Sequence, residues 1–221
     1  MKNKILLMIT MAISSISFAQ TTPTFGIRVG ISSSGIRGDA MESLDKLLNY
    51  SNGMVSKSNN TGFFAGVNSS IPLDEHFSIE PGIYFAQKGS QLNGHLAGKV
   101  GDAIGVAAKS VLLANYIDVP VILKANMGGL QIFGGPQVSY LTNAQLKTTA
   151  GIFGINLLNN TMDATSKMNR WDASLTGGIG YQFINGINIT AAYDYGLLKA
   201  DANRNSSAYN QSIKVGVGIN F

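Results

Sequence analysis

The chain of 221 residues has no cysteine, only two histidines and few charged residues, which make up 13% of the sequence. Without cysteine no disulfide holds the fold, so backbone pairing and packing must do so. Paired histidines and calcium-loop motifs are also missing, so we expect no metal and no cofactor. After the first twenty residues no apolar run approaches the about 20 residues of a membrane-spanning helix, so any membrane insertion must use strands.

The N-terminal residues have the pattern of a secretory signal. Lys2 and Lys4 precede an apolar run over residues 5–13, and Ser17, Phe18 and Ala19 form a cleavage site before Gln20. This pattern predicts a signal peptide over residues 1–19 and an exported domain over residues 20–221. Removing the two lysines lowers the formal net charge from +4 to +2, which gives no support for nucleic-acid binding.

Period-two alternation of apolar and polar residues runs through the rest of the chain. It predicts eight strands, near residues 24–33, 61–71, 76–88, 115–125, 129–141, 170–184, 186–199 and 209–221. One row of each strand is apolar and carries no charge, as in Ile213, Val215, Val217 and Ile219 of the closing stretch SIKVGVGINF. The opposite row carries nine charged residues, namely Arg28, Glu80, Lys88, Asp118, Lys124, Arg170, Asp172, Asp194 and Lys214.

Such strands fit two kinds of protein. In a soluble barrel or sandwich the apolar row faces inward, whereas in an outer-membrane barrel it faces lipid and the charges pair in the lumen. The connections separate the two, because long ones (34–60, 89–114, 142–169 and 200–208) alternate with short ones that include PLDE, NMG and the NG of FINGI. Short periplasmic turns alternating with long external loops are typical of outer-membrane barrels. The sequence therefore predicts an all-β fold, an eight-stranded antiparallel up-and-down transmembrane β-barrel.

Aromatic residues and the last residue agree with this fold. Aromatics concentrate at strand ends, as interfaces with lipid favour. Phe221 would end the closing strand at the inner boundary, where a terminal aromatic resembles the signal by which the barrel-insertion machinery recognises its substrates. Pairing of the last strand with the first would remove the edges that lipid does not tolerate.

Five segments carry a resemblance to a known family: FSIEPGIYFAQKGS (77–90), NYIDVPVILKAN (115–126), FGGPQVSYLT (133–142), GGIGYQF (177–183) and AAYDYGLLKA (191–200). They resemble the PorT-like outer-membrane β-barrel proteins of Bacteroidota-type bacteria. The resemblance implies an outer-membrane location, and for one branch of the family it implies assistance to protein secretion and surface assembly. Pro81, Pro120 and Pro136 lie inside proposed strands, where we expect bulges or broken pairing, and the resemblance includes prolines at these places.

The nine charged residues have two interpretations. They nearly balance in sign, which suits a structural salt-bridge plug in a barrel too narrow for a general pore, although a ligand or proton path remains the alternative. No catalytic constellation accompanies His76 or His95, and the glycine-rich GGIG lies within a strand, so phosphate binding is not expected.

The long loops are unusually apolar for segments that face water. Asp39 is a candidate cap for a short helix with Met41 and Leu44, and residues 101–116 and 150–160 add further apolar groups. They either extend the strands and cap the barrel mouth or dock another envelope or secretion protein.

These features favour a non-enzymatic outer-membrane barrel in contact with lipid, acting as a structural or interaction component of the envelope. One alternative is a lipid-modifying hydrolase or acyltransferase of the outer membrane. The other is a soluble periplasmic ligand-binding barrel.

Overall fold

The computed structural model describes residues 22–38, 55–95, 107–152, 155–202 and 207–221. The predicted signal peptide and the helix proposed after Asp39 lie outside these ranges. The described ranges contain no helix long and apolar enough to span a membrane.

The described residues form nine strands and one short 3-10 helix. The strands are β1 (Thr24–Arg37), β2 (Val55–Pro72), β3 (Phe77–His95), β4 (Ala107–Met127), β5 (Leu130–Ile152), β6 (Ile155–Asp163), β7 (Trp171–Gln182), β8 (Ile187–Lys199) and β9 (Tyr209–Asn220), and the helix spans Thr165–Lys167. All pairings between these strands are antiparallel.

Eight of the nine strands close into a ring. Within the ring each strand pairs with the next one in the chain, except that β5 is followed by β7, while β6 pairs with β5 alone, and β1 closes the ring by pairing with both β2 and β9. The seam between β1 and β9 continues to Phe25 and Phe221, whose backbone N–H groups each donate to the other residue's carbonyl oxygen at 3.1 and 2.8 Å. The predicted eight-stranded up-and-down barrel is confirmed.

The ninth strand was not predicted. β6 forms a hairpin with the C-terminal part of β5, where Lys147 lies opposite Thr161. The N-terminal part of β5 pairs with β7, where Val138 lies opposite Ala173. Residues 142–169, expected to be a loop, are therefore largely strand. The same correction applies to residues 89–114, because β3 continues to His95 and β4 already begins at Ala107.

The two ends of the barrel differ in their connections. Short turns at residues 73–76, 128–129 and 183–186 lie at one end, here called the turn end. The opposite end, called the loop end, carries the connections at 38–54, 96–106 and 200–208 together with the β5–β6 hairpin. The predicted alternation of short and long connections is therefore retained, although the loops are shorter than the sequence indicated.

Pro81, Pro120 and Pro136 interrupt strand pairing without shifting the register. Pairing between β2 and β3 stops at Asn68–Gly82 and resumes at Ile71–Ile79, which spans the position of Pro81. Similar gaps occur between β3 and β4 at Pro120 and between β4 and β5 at Pro136. The sequence predicted bulges or broken pairing at the prolines, and the structure has broken pairing. The register is the same before and after each gap, so no bulge has been inserted there.

The apolar row of every ring strand faces outward. Val215 and Ile189 are each 46% exposed, whereas the side chains of Lys214 and Asp194 are 11% and 5% exposed. A soluble barrel would show the reverse arrangement. An apolar exterior around a closed set of strands is the arrangement that hydrocarbon requires, since a closed ring leaves no open strand edge facing lipid.

Aromatic side chains project from the outer surface at both ends. Phe25, Phe77 and Phe183 are exposed near the turn end, and Tyr140 packs edge-on against Trp171 near the loop end with ring centroids 5.0 Å apart. Aromatic rings are favoured at the two boundaries between hydrocarbon and water. The expected concentration of aromatic residues at the strand ends is therefore found in the described residues.

The turn between β2 and β3 depends on one carboxylate. The backbone N–H groups of His76 and Phe77 both donate to Oδ1 of Asp74 at 2.7 Å, which closes the turn around an exposed side chain. These two bonds, that from His76 foremost, hold the pKa of Asp74 below its ordinary value of 3.8.

We predict that Asp74→Ala destabilises the barrel at neutral pH and that the effect fades in acid. A carboxylate whose folded pKa is depressed stabilises the fold above its unfolded pKa, and this contribution is lost as the pH falls through the folded value. The urea midpoints of Asp74→Ala and the original protein should therefore converge below the ordinary pKa of 3.8. A constant difference between pH 7 and pH 2 would contradict this account.

Candidate functional site

The interior of the barrel is filled with polar and charged side chains from the inward row. Near the turn end the side-chain amide of Gln131 donates to Gln182 Oε1 at 2.8 Å and to Asn126 Oδ1 at 3.1 Å. Above this amide layer lie two ion-pair clusters, one nearer each end. Strand alternation places these groups inside, because every second side chain of a ring strand points into the lumen.

The cluster nearer the turn end, called the lower cluster, consists of Arg28, Glu80 and Lys124. Arg28 Nη1 lies 2.9 Å from Glu80 Oε1, and the other carboxylate oxygen accepts from Lys124 Nζ. The same Nη1 is 3.2 Å from the hydroxyl oxygen of Tyr84. Both oxygens of Glu80 are thus paired, and the cluster joins β1, β3 and β4.

The upper cluster consists of Lys88, Asp118, Asp194 and Lys214. Asp118 is completely buried and bridges two cations, with Lys88 Nζ 2.8 Å from Oδ1 and Lys214 Nζ 3.1 Å from Oδ2. Lys214 also contacts Asp194 Oδ2 at 2.6 Å.

Hydroxyl groups complete the upper cluster. Lys88 Nζ donates to Ser139 Oγ at 3.2 Å, and Thr176 and Ser212 donate to the two oxygens of Asp194 at 2.9 and 3.1 Å. Because buried charges are tolerated only when paired and hydrogen-bonded, these partners allow the cluster to stay ionised.

Asp172 is buried near the upper cluster and has a different environment. Its Oδ2 accepts from the Asn210 amide at 2.8 Å, while Oδ1 has no hydrogen-bond partner. The ion pairs formed among the described residues do not include it.

Arg170 does not belong to the lumen, so its predicted position was wrong. It is exposed at the loop end just before β7, where Nη1 donates to the carbonyl oxygens of Leu141 and Thr142 at 3.2 and 3.1 Å. The strand that was predicted to begin at residue 170 begins at Trp171, so the alternation of inward and outward side chains does not extend to Arg170. The eight other charged residues lie inside, four of each sign.

An apolar cluster lies closer to the loop end than the charges do. Ala114, Tyr116, Leu141 and Ala144 are buried together at the loop end, and Ala164 and Met168 from the segment after β6 pack against them. Thr165 holds this segment against β5, because the backbone N–H of Ala144 donates a hydrogen bond to Thr165 Oγ1 at 3.0 Å.

Four inward aromatic residues, Phe64, Tyr84, Tyr116 and Phe133, were missed from the sequence. Each stands next to an outward-facing large residue, in the pairs Phe63–Phe64, Tyr84–Phe85, Tyr116–Ile117 and Ile132–Phe133. Such a pair breaks the alternation of apolar and polar residues, and that break is the signal that would have located them. Phe64 and Tyr84 pack edge-on with centroids 6.2 Å apart, and Lys88 Nζ lies 4.7 Å from the centre of the Tyr116 ring.

The two histidines lie at opposite ends of the same strand. His76 precedes β3 in the turn, and His95 ends β3 at the loop end. The described residues contain no group of three side chains suited to hold a metal ion.

Comparison with known proteins connects this architecture to a family. Residues 18–201 match the model of the outer membrane protein beta-barrel domain. No curated protein matches the chain.

Solved structures offer distant likenesses. Neisserial surface protein A (NspA) is 9% identical over 90% of this chain and 99% of its own, with a TM-score of 0.49. Ail, the attachment invasion locus protein of Yersinia pestis, is 12% identical over 90% and 98%, with a TM-score of 0.47. LpxR from Salmonella typhimurium is 10% identical over 89% and 100%, with a TM-score of 0.27. Identities of this size say nothing about a shared activity.

Proposed function

Because the chain belongs to the outer membrane protein β-barrel domain family, we propose that it works as a non-enzymatic interaction component of the outer membrane. The partner in this proposal is another envelope protein, which docks on the loop end of the barrel. The observation that carries the proposal is the β5–β6 hairpin, where an unpaired strand edge and exposed apolar side chains occur together.

The edge of β6 is open among the described residues. β6 pairs with β5 on one side, and no described strand pairs with its other side. An open edge presents backbone donors and acceptors to which an extended segment of another protein can add as a further strand.

The side chains of β6 favour a protein partner over water. Ile155, Leu157, Leu158 and Met162 are 51–71% exposed at the end of the barrel that faces away from the turns. Clustered apolar side chains of this kind mark interaction surfaces in proteins. The expected occupant is therefore an extended segment with apolar residues, paired along β6.

The filled lumen argues against transport as the main role. An eight-stranded barrel has an interior just wide enough for side chains, and here two ion-pair clusters and an apolar layer occupy it. The eight inward charges support the interpretation of a structural plug.

The resemblance to PorT-like barrels suggests the kind of partner. In that family one branch is implied to assist protein secretion and the assembly of surface proteins, and we propose the same setting for this chain. The exposed Phe221, at the seam of the barrel, is the feature we expect the barrel-insertion machinery to contact during assembly.

Site-directed photo-cross-linking in native envelopes tests the proposal. A photoreactive residue at Asn159 of β6 should give one discrete product, and peptide mapping should place the cross-link in an extended apolar segment of an envelope protein. The matched control is the same photoreactive residue at Gln91 of β3, which has strands on both sides.

Two variants sharpen the test. Leu157→Asn combined with Leu158→Asn should abolish the product while the protein still folds into the membrane. A product that forms equally from Gln91, or that survives the double substitution, would count against docking on β6.

A further inference from the structure

A cavity lies inside the barrel beside the lower cluster. Its volume is about 60 Å³, and one buried water needs about 10–15 Å³, so several small groups fit. Because the side chains around it are fixed by ion pairs and strand alternation, the cavity is a built feature of the lumen.

The charges that line the cavity are mostly positive. Arg28, Lys124 and Lys214 contribute cations, and among the described lining residues Glu80 contributes the single carboxylate. Lys214 is neutralised by Asp118 and Asp194. The lower cluster itself, with two cations and one carboxylate, keeps one uncompensated positive charge.

Two nitrogen atoms of Arg28 have no hydrogen-bond partner. Nη1 donates to Glu80 and Tyr84, whereas Nε and Nη2 are buried without a partner. An unsatisfied buried donor destabilises the fold, and more so when it is charged, so two on one guanidinium group require an acceptor. Nε and one Nη of arginine form a fork that suits a single acceptor between them.

We propose that this cavity binds a small monovalent anion such as chloride, held by Nε and Nη2 of Arg28. The anion neutralises the excess charge of the lower cluster and satisfies both free donors at once. A water molecule would satisfy the donors but would leave the charge, which is expensive in an interior of low dielectric constant.

The walls determine which anions fit. Phe64, Tyr84 and Phe133 line the cavity with aromatic rings, so an anion must shed part of its water to enter. Halides lose water more readily than a divalent oxyanion, because the cost of moving an ion out of water rises steeply with its charge. We therefore expect chloride and bromide to bind and sulfate to be excluded.

Anomalous diffraction from crystals soaked in bromide tests the site directly. One bromide peak is expected within hydrogen-bond distance of Arg28 Nε and Nη2. In parallel, replacing gluconate by chloride at constant ionic strength should raise the unfolding midpoint in detergent, because a ligand that binds only the folded state stabilises it.

Two variants should abolish both signals. Arg28→Gln removes the donors and the excess charge, and Ala192→Leu fills the cavity while leaving every charge in place. Each is expected to weaken chloride binding at least tenfold. Arg170→Gln is the matched control, because it makes the same change outside the lumen and should bind chloride as before.

The proposal fails under either of two results. The first is water alone beside Arg28 in the bromide-soaked crystals. The second is a chloride response that is equal in the original protein and in Ala192→Leu, since that response would arise elsewhere on the molecule.

Discussion

Replacing Asp118 by leucine is expected to lower the free energy of unfolding by about 3–5 kcal/mol, because it leaves buried cations without their partner. The carboxylate is fully buried and lies within 3.1 Å of both Lys88 Nζ and Lys214 Nζ. Lys214 retains Asp194, but Lys88 forms no second ion pair among the described residues and keeps contacts with the hydroxyl of Ser139 and the ring of Tyr116. Urea unfolding of the barrel reconstituted in lipid vesicles measures the loss.

A second substitution tests whether the charge itself is responsible. Adding Lys88→Met to Asp118→Leu removes both members of the main pair and should restore most of the lost stability, as apolar replacement of a buried ion pair often does. Glu75→Gln neutralises an exposed carboxylate in a turn and should have almost no effect. If the double variant is no more stable than Asp118→Leu alone, the unpaired cation is not the cause.

Val217→Arg is expected to cost about 2–4 kcal/mol, the penalty for a cation that faces lipid near the middle of a membrane barrel. Val217 is 51% exposed on the outer surface and lies between Val29 of β1 and Ile189 of β8. The substitution should also slow assembly, so that less protein shows the faster migration of an unheated folded barrel on a denaturing gel.

Two controls separate the effect of placing a charge in the membrane from the effect of a larger side chain. Val217→Leu changes the size of the side chain without adding charge and should be almost neutral, and Thr161→Arg places the same cation on the exposed hairpin strand β6. Equal stability of Val217→Arg and Thr161→Arg in vesicles would mean that the apolar row does not face hydrocarbon.

The orientation of the ring strands could be predicted from sequence because the period-two pattern divides each strand into two rows, and the alternation of short and long connections indicates that the apolar row faces lipid. Lipid forbids charge on one face of each strand, so the uncharged row over Ile213, Val215 and Val217 could face only outward. The inward position of Asp118 or Lys214 follows from the same parity. Their grouping into pairs does not, because it depends on the registers of strands far apart in sequence.

The length of the strands could not be predicted in the same way. Beyond the hydrocarbon neither face must be apolar, so the pattern fades at residues 89–95 and 142–152 although backbone pairing continues. β6 was missed for the same reason, because INLLNNTMD shows no alternation. Arg170 was misplaced because it stands one residue before its strand begins, an uncertainty within the usual error of strand boundaries.

The seam between β1 and β9 has a consequence for the order of folding. It joins residues as far apart in sequence as Gly26 and Asn220, so β1 cannot complete its pairing until β9 has been synthesised. Contacts of such long sequence separation form slowly. Until β9 pairs with β1, the sheet has two open edges, and unpaired edges are the places at which an incompletely folded sheet aggregates.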